Sequence, residues 1–123
     1  RAAAALLALA VGPVVASGAA GSEPPVVDVP GYTRVTGSWH RGTGVRLFAG
    51  IRYAAAPVGD LRWRPPRPAV SVPSGELDAT SFAPACPQTS GGKVVGSEDC
   101  LALNVYAPPA GAKSRPVLVW IHG

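Results

Sequence analysis

At 123 residues the chain has room for one domain, and 15 glycines and 14 prolines against 15% charged residues favour turns and short strands over long helices. The net charge of +4 is modest and comes mostly from scattered arginines, grouped only at Arg62, Arg64 and Arg67, so nucleic acid is a weak candidate as partner. The chain starts on Arg1, contains no methionine and ends on Gly123 just after an apolar run, so it reads as a fragment cut at both ends.

Residues 1–20 have the form of a signal peptide. Arg1 supplies a positive end, an apolar run follows that is broken only at Gly12-Pro13, and small residues allow cleavage after Ala19 or Ala20. The competing reading is a transmembrane helix. Against it, the run is shorter than the ~20 residues a span needs and contains Pro13. No cysteine lies near the site to carry a lipid, so the expectation is a secreted protein without a stable membrane anchor. Residues 21–32 form a polar, proline-bearing leader, expected to be extended and poorly ordered.

Two short strand candidates follow at residues 33–37 and 45–49, around the turn-rich residues 38–44, and a small β-hairpin is expected there. His40, at its tip, reads as an exposed turn residue. Beyond Ala56, Pro57, Pro65, Pro66 and Pro68 forbid a continuous helix. The stretch 62–68 has features of a polyproline ligand and of a nucleic-acid contact, but an exported chain seldom meets either partner. A rigid surface loop whose arginines pair with carboxylates is the better expectation.

Cys86 sits in a proline-fixed bend, residues 89–97 read as a loop, and Cys100 opens the next strand candidate. Two cysteines in an exported chain favour a disulfide, with two free buried thiols as the alternative. The closed loop would contain about 15 residues, for which chain entropy gives roughly 3 kcal/mol. His40 and His122 are not at ligand spacing to the cysteines, so neither metal nor cofactor is expected. Leu101, Leu103 and Val105 alternate with Ala102, Asn104 and Tyr106, the pattern of a half-buried strand. Residues 117–121, Val-Leu-Val-Trp-Ile, are apolar without alternation and are expected to form a strand covered on both faces.

Three blocks, in order, resemble the type B carboxylesterases, a family of the α/β-hydrolase fold that includes the cholinesterases. The first contains Phe48, Gly50, Ile51, Tyr53, Ala54, Pro57, Gly59, Arg62, Trp63 and Pro66. The second contains Asp78-Ala79-Thr80, Phe82, Pro84 and Cys86-Pro87-Gln88. The third runs from Glu98-Asp99-Cys100-Leu101 through Asn104-Val105-Tyr106 and Pro108 to residues 117–121 and His122-Gly123. The resemblance covers residues 33–123. It implies an α/β fold, namely the N-terminal portion of an α/β-hydrolase: a small β-hairpin and the first strands of a mostly parallel central sheet, incomplete and stopping before the nucleophile elbow.

Residue by residue, the resemblance implies that Cys86 and Cys100 form the family's first disulfide and that Arg62 and Glu98 form a structural ion pair. His122-Gly123 match the start of the His-Gly-Gly-Gly oxyanion loop, where glycines let backbone N–H groups approach a developing alkoxide. The family's donor amides belong to the second and third glycines, past Gly123, and His122 shapes the loop without acting as base. No Gly-x-Ser-x-Gly elbow occurs in the sequence, so no catalytic residue of the triad is expected in this chain.

Arg52 stands where the family usually has proline, and Ala102 replaces a usual aromatic. The Cys86–Cys100 loop is shorter than the cholinesterase version and lacks its tryptophan, which favours a general carboxylesterase over a choline-ester specialist. The functional expectation is a secreted serine esterase acting on small-molecule carboxylic esters through an acyl-enzyme, with this fragment itself inactive. The alternatives are a catalytically dead, cholinesterase-like adhesion or binding domain, and a free-standing disulfide-stapled secreted binding domain.

Overall fold

The structure, a computed structural model, describes residues 23–30, 32–69, 75–111 and 113–122. The stretch read as a signal peptide, with its cleavage site, lies outside them, as does Gly123. Among the described residues the regular structure is strands, apart from one 3-10 turn at Gly59–Leu61. Proline and glycine density leaves no longer helical run.

Three small sheets form. In the first, β1 (Val26–Val29) pairs antiparallel with β2 (Thr33–Thr36), which pairs parallel with β5 (Glu76–Asp78). In the second, β3 (Ser38–Trp39), β4 (Arg46–Arg52) and β8 (Ala102–Ala107) run antiparallel in that spatial order. The third is a hairpin of β6 (Gln88–Ser90) and β7 (Lys93–Val95). Within the stretch read as a poorly ordered leader, residues 23–30 are tied down. β1 is hydrogen-bonded to β2, Gly37 donates to the Pro25 carbonyl at 2.8 Å, and the Trp39 indole N–H donates to the Glu23 carbonyl at 2.8 Å.

The strand at residues 33–36 does not pair with the one at 46–52. Its partners are β1 and β5, and the hairpin around His40 is instead closed by the two residues of β3. Gly37 is the crossing point between the sheets. The expected loop at 89–97 contains β7 and all but the first residue of β6, joined through Gly91-Gly92, both at positive φ. A two-residue Gly-Gly connection is a hairpin signal, because primed turns need left-handed backbone that L side chains resist.

The two larger sheets are joined by backbone. The Ala49 N–H donates to the Ala79 carbonyl and the Ala79 N–H to the Thr36 carbonyl, each at 2.7 Å. Both alanines have no solvent exposure, so neither position has space for a larger side chain. Around this seam Val35, Phe48 and Ala79 form the core, with Val27, Ile51 and Leu77 packed against it. β4 passes through the centre, burying Leu47, Phe48 and Ala49 in succession.

Residues 117–121 form no strand and stand 75–91% exposed, contrary to the buried strand their composition suggests. An apolar run adopts a covered strand only when partners supply hydrogen bonds and burial, and no described residue does so here. The sheet that does form around β4 is antiparallel; β2–β5 is the parallel pair among the described strands.

Asp78, at the end of β5, accepts hydrogen bonds from the Thr80 side chain and from its backbone N–H, the latter at 3.0 Å. These hold its carboxyl below the ordinary value of 3.8. A pKa depressed by folding adds stability above the ordinary value and loses it as pH falls through the depressed one. The small stability gap between wild type and Asp78→Asn should therefore close in thermal melts taken at successively lower pH below 3.8.

Candidate functional site

Four residues singled out by the sequence, Arg62, Cys86, Glu98 and Cys100, gather at one corner, where the end of β4, the proline-rich loop and the start of β8 converge. β4 and β8 run in register from Arg46↔Ala107 to Phe48↔Val105 and again from Ile51↔Leu103 to Arg52↔Ala102. Between them lies a bulge at Gly50, with φ +70°. A bulge removes donors from the ladder, and here the Asn104 side-chain carbonyl accepts the Gly50 N–H at 2.9 Å. The Tyr53 N–H then donates to the Leu101 carbonyl at 3.1 Å, which carries the pairing one residue beyond the strand.

Cys86 and Cys100 are disulfide-bonded, with Cα atoms 5.1 Å apart. Gly96 makes the loop close on itself. At φ +96° it packs so tightly that a Cβ would lie 2.5 Å from the carbonyl oxygens of both Ala85 and Cys86. The Ser97 N–H donates to the Ala85 carbonyl at 2.8 Å, so the two stems of the loop are joined next to the disulfide.

Arg62 and Glu98 lie together, with Nε 2.7 Å from Oε1. Arg62 is presented by the 3-10 turn, where its N–H donates to the Gly59 carbonyl at 3.1 Å. The ends of this loop are held by the Ala54↔Pro68 bridge and by the Ala55 N–H donating to the Arg67 carbonyl at 3.0 Å. It is the surface loop its prolines imply. The ion pair is not buried: its side chains are 55% and 38% exposed. At that exposure solvent screening leaves a pair of this kind about 1 kcal/mol or less, well short of the cost of breaking a buried pair.

A second pair escaped the sequence reading. The two terminal guanidinium nitrogens of Arg52 donate one to each carboxylate oxygen of Asp99, Nη1 to Oδ1 and Nη2 to Oδ2, the latter at 2.6 Å. The available signal was the departure from proline at position 52 together with two adjacent carboxylates at 98–99. Proline has no charge and no donor, whereas an arginine at the end of a strand can reach across to one of them.

Downstream, His122 is exposed at the end of the uncovered run, and its companion Gly123 is outside the described residues. The corner ties the start of β8 to the end of β4 and to the Cys86 stem; the exposed run 117–121 leading to His122 is not held by it. It contains no nucleophile–base pair of the kind acyl transfer needs, since the sequence has no Gly-x-Ser-x-Gly.

The comparisons agree with this placement. The carboxylesterase family model matches residues 23–123. The para-nitrobenzyl esterase of Bacillus subtilis (strain 168) is 41% identical over 99 residues, covering 75% of this chain and 20% of its own length. The phenmedipham hydrolase of Pseudarthrobacter oxydans is 44% identical over 90 residues, covering 65% and 18%. Among solved structures, a Geobacillus stearothermophilus carboxylesterase superposes with a TM-score of 0.66 at 45% identity, over 80% of this chain and 19% of its own. The chain thus spans about a fifth of the length of these relatives. With a match that extends from residue 23 past the disulfide corner to residue 123, the chain belongs to the carboxylesterase family and represents the N-terminal portion of its α/β-hydrolase fold.

Proposed function

We propose that the protein containing this chain is a secreted serine carboxylesterase that hydrolyses small-molecule carboxylic esters through an acyl-enzyme. One observation carries the reading: the family match extends over residues 23–123, to the His122-Gly123 step from which an oxyanion loop would continue. In such an enzyme a serine attacks the ester carbonyl, backbone N–H groups stabilise the resulting alkoxide, and water releases the acyl group in a second step. Secretion is supported by the apolar, small-residue-terminated stretch at residues 1–20.

The contribution of residues 23–122 is scaffolding. They bring the chain to the oxyanion loop, and residues 1–123 alone are inactive because they contain neither the serine elbow nor the donor glycines. The intact protein should be labelled covalently by a fluorophosphonate probe and should turn over 4-nitrophenyl acetate, whereas residues 1–123 alone should do neither. An intact protein that resists the probe and leaves the ester untouched would identify a catalytically dead binding domain instead. Labelling of the isolated stretch would mean that residues 1–123 hold a reactive serine of their own. The N-terminal sequence of protein recovered from culture medium tests secretion, with cleavage expected after Ala19 or Ala20.

A further inference from the structure

The geometry points to the Arg52–Asp99 pair as a second lock on the disulfide loop: it fixes the Cys100 stem to the end of β4, so that Cys100 stays beside Cys86 when the bond is reduced and the same pair reforms. This inference is independent of the esterase reading, since it concerns thiols and not ester turnover.

Four observations support it. Arg52 is the exposed last residue of β4, and its backbone position is fixed by its ladder pairing with Ala102 of β8. Its guanidinium engages both oxygens of Asp99, an orientation-specific pairing that a point cation could not reproduce. Asp99 is further held by its own N–H, which donates to Ser97 Oγ at 3.1 Å. Cys100 therefore lies between two anchored neighbours, Asp99 on Arg52 and Leu101 on the Tyr53 N–H.

Cys86 is held separately. Gly96 packs on the Ala85 and Cys86 carbonyls, and Ser97 donates to Ala85. In the rest of the loop β6 and β7 pair with each other and are exposed throughout, and Gln88 Nε2 donates to the Cys86 carbonyl at 3.3 Å. Whether two reduced thiols remain neighbours is thus decided at the stems. Arg62–Glu98 is the weaker of the two stem pairs, because Arg62 sits on the proline loop and not on the central strand.

Two devices that hold the same stem must reinforce each other by equal factors, since coupling free energies are reciprocal. Removing the ion pair should lower the effective concentration of one thiol at the other, and with it the equilibrium constant for disulfide formation. The exchange is balanced: two protein thiols give two electrons and two protons to a small-molecule disulfide, which leaves as a dithiol. Both side chains are about two-fifths exposed, so the coupling should weaken in salt.

The test is redox titration of the intact protein in mixtures of oxidised and reduced dithiothreitol, with the Cys86–Cys100 bond quantified by thiol alkylation and mass spectrometry. Arg52→Ala and the near-isosteric Asp99→Asn should each lower the equilibrium constant roughly two- to fivefold, fivefold being about 20 mV. The deficit should shrink in 1 M NaCl and be recovered in part by the double swap Arg52→Asp with Asp99→Arg. Arg62→Ala should have a smaller effect. If a variant fails to fold, the salt dependence of the wild-type equilibrium remains as a readout. Unchanged equilibrium constants would overturn the proposal. So would a deficit that ignores salt and is not recovered by the swap, or a native protein that never forms the bond.

Discussion

Gly50→Ala is expected to cost the intact protein several kcal/mol, because two penalties fall on one methyl group. Gly50 sits at φ +70°, in the left-handed region that an L side chain enters at roughly 1–2 kcal/mol. The added Cβ would also lie 2.6 Å from the Ser81 carbonyl oxygen and 3.3 Å from the Ala83 backbone nitrogen. Backbone atoms cannot swing aside as a flexible side chain does, so relieving that overlap should cost a further ~1–3 kcal/mol. Gly42→Ala is the control: its φ of +71° matches, but a Cβ there meets nothing within 4 Å. Urea unfolding of the two variants separates the effects. Equal losses would show that the approach of residues 81–83 to the bulge is not what demands glycine.

The double substitution Cys86→Ser with Cys100→Ser is expected to destabilise the oxidised protein by about 3 kcal/mol, the value chain entropy assigns to a loop of this size. The loss should be concentrated in the exposed β6–β7 hairpin, which has no hydrophobic core of its own. Limited proteolysis should cut between residues 88 and 95 well before global unfolding, at a rate the wild type does not show. A double variant as protease-resistant and as heat-stable as wild type would mean that the stem contacts alone hold the loop.

The elements most legible in the sequence carry their own periodicity or chemistry. Leu101, Leu103 and Val105 alternate as a strand must, and β8 occupies residues 102–107, but the half-burial expected of it is not met: Leu103 and Val105 are 42% and 40% exposed because no described element covers that face. The family blocks drew attention to Cys86, Cys100, Arg62 and Glu98, which lie together at one corner. What was not legible depends on partners distant in the chain. The parallel pairing of β2 with β5 joins residues more than forty positions apart, and nothing within 33–36 reveals it. Arg52 reads as a departure from a pattern until the fold brings Asp99 within reach. The Gly91-Gly92 turn is a different matter: its signal was local, but the small polar residues around it resemble an ordinary loop. Residues 117–121 have the composition of an interior strand, and composition cannot supply neighbours.

That last segment also bears on solubility. Five uncharged residues of high β-propensity, with an unpaired backbone, are of the kind that templates edge-to-edge association between chains. Lys113, Arg115 and Pro116 stand immediately ahead of it. Cations repel a second copy, and proline removes a donor at the segment's leading edge. The residues that look like a plain solvated turn ahead of the run therefore have the composition of gatekeepers, which disfavours pairing of the exposed run with a second copy.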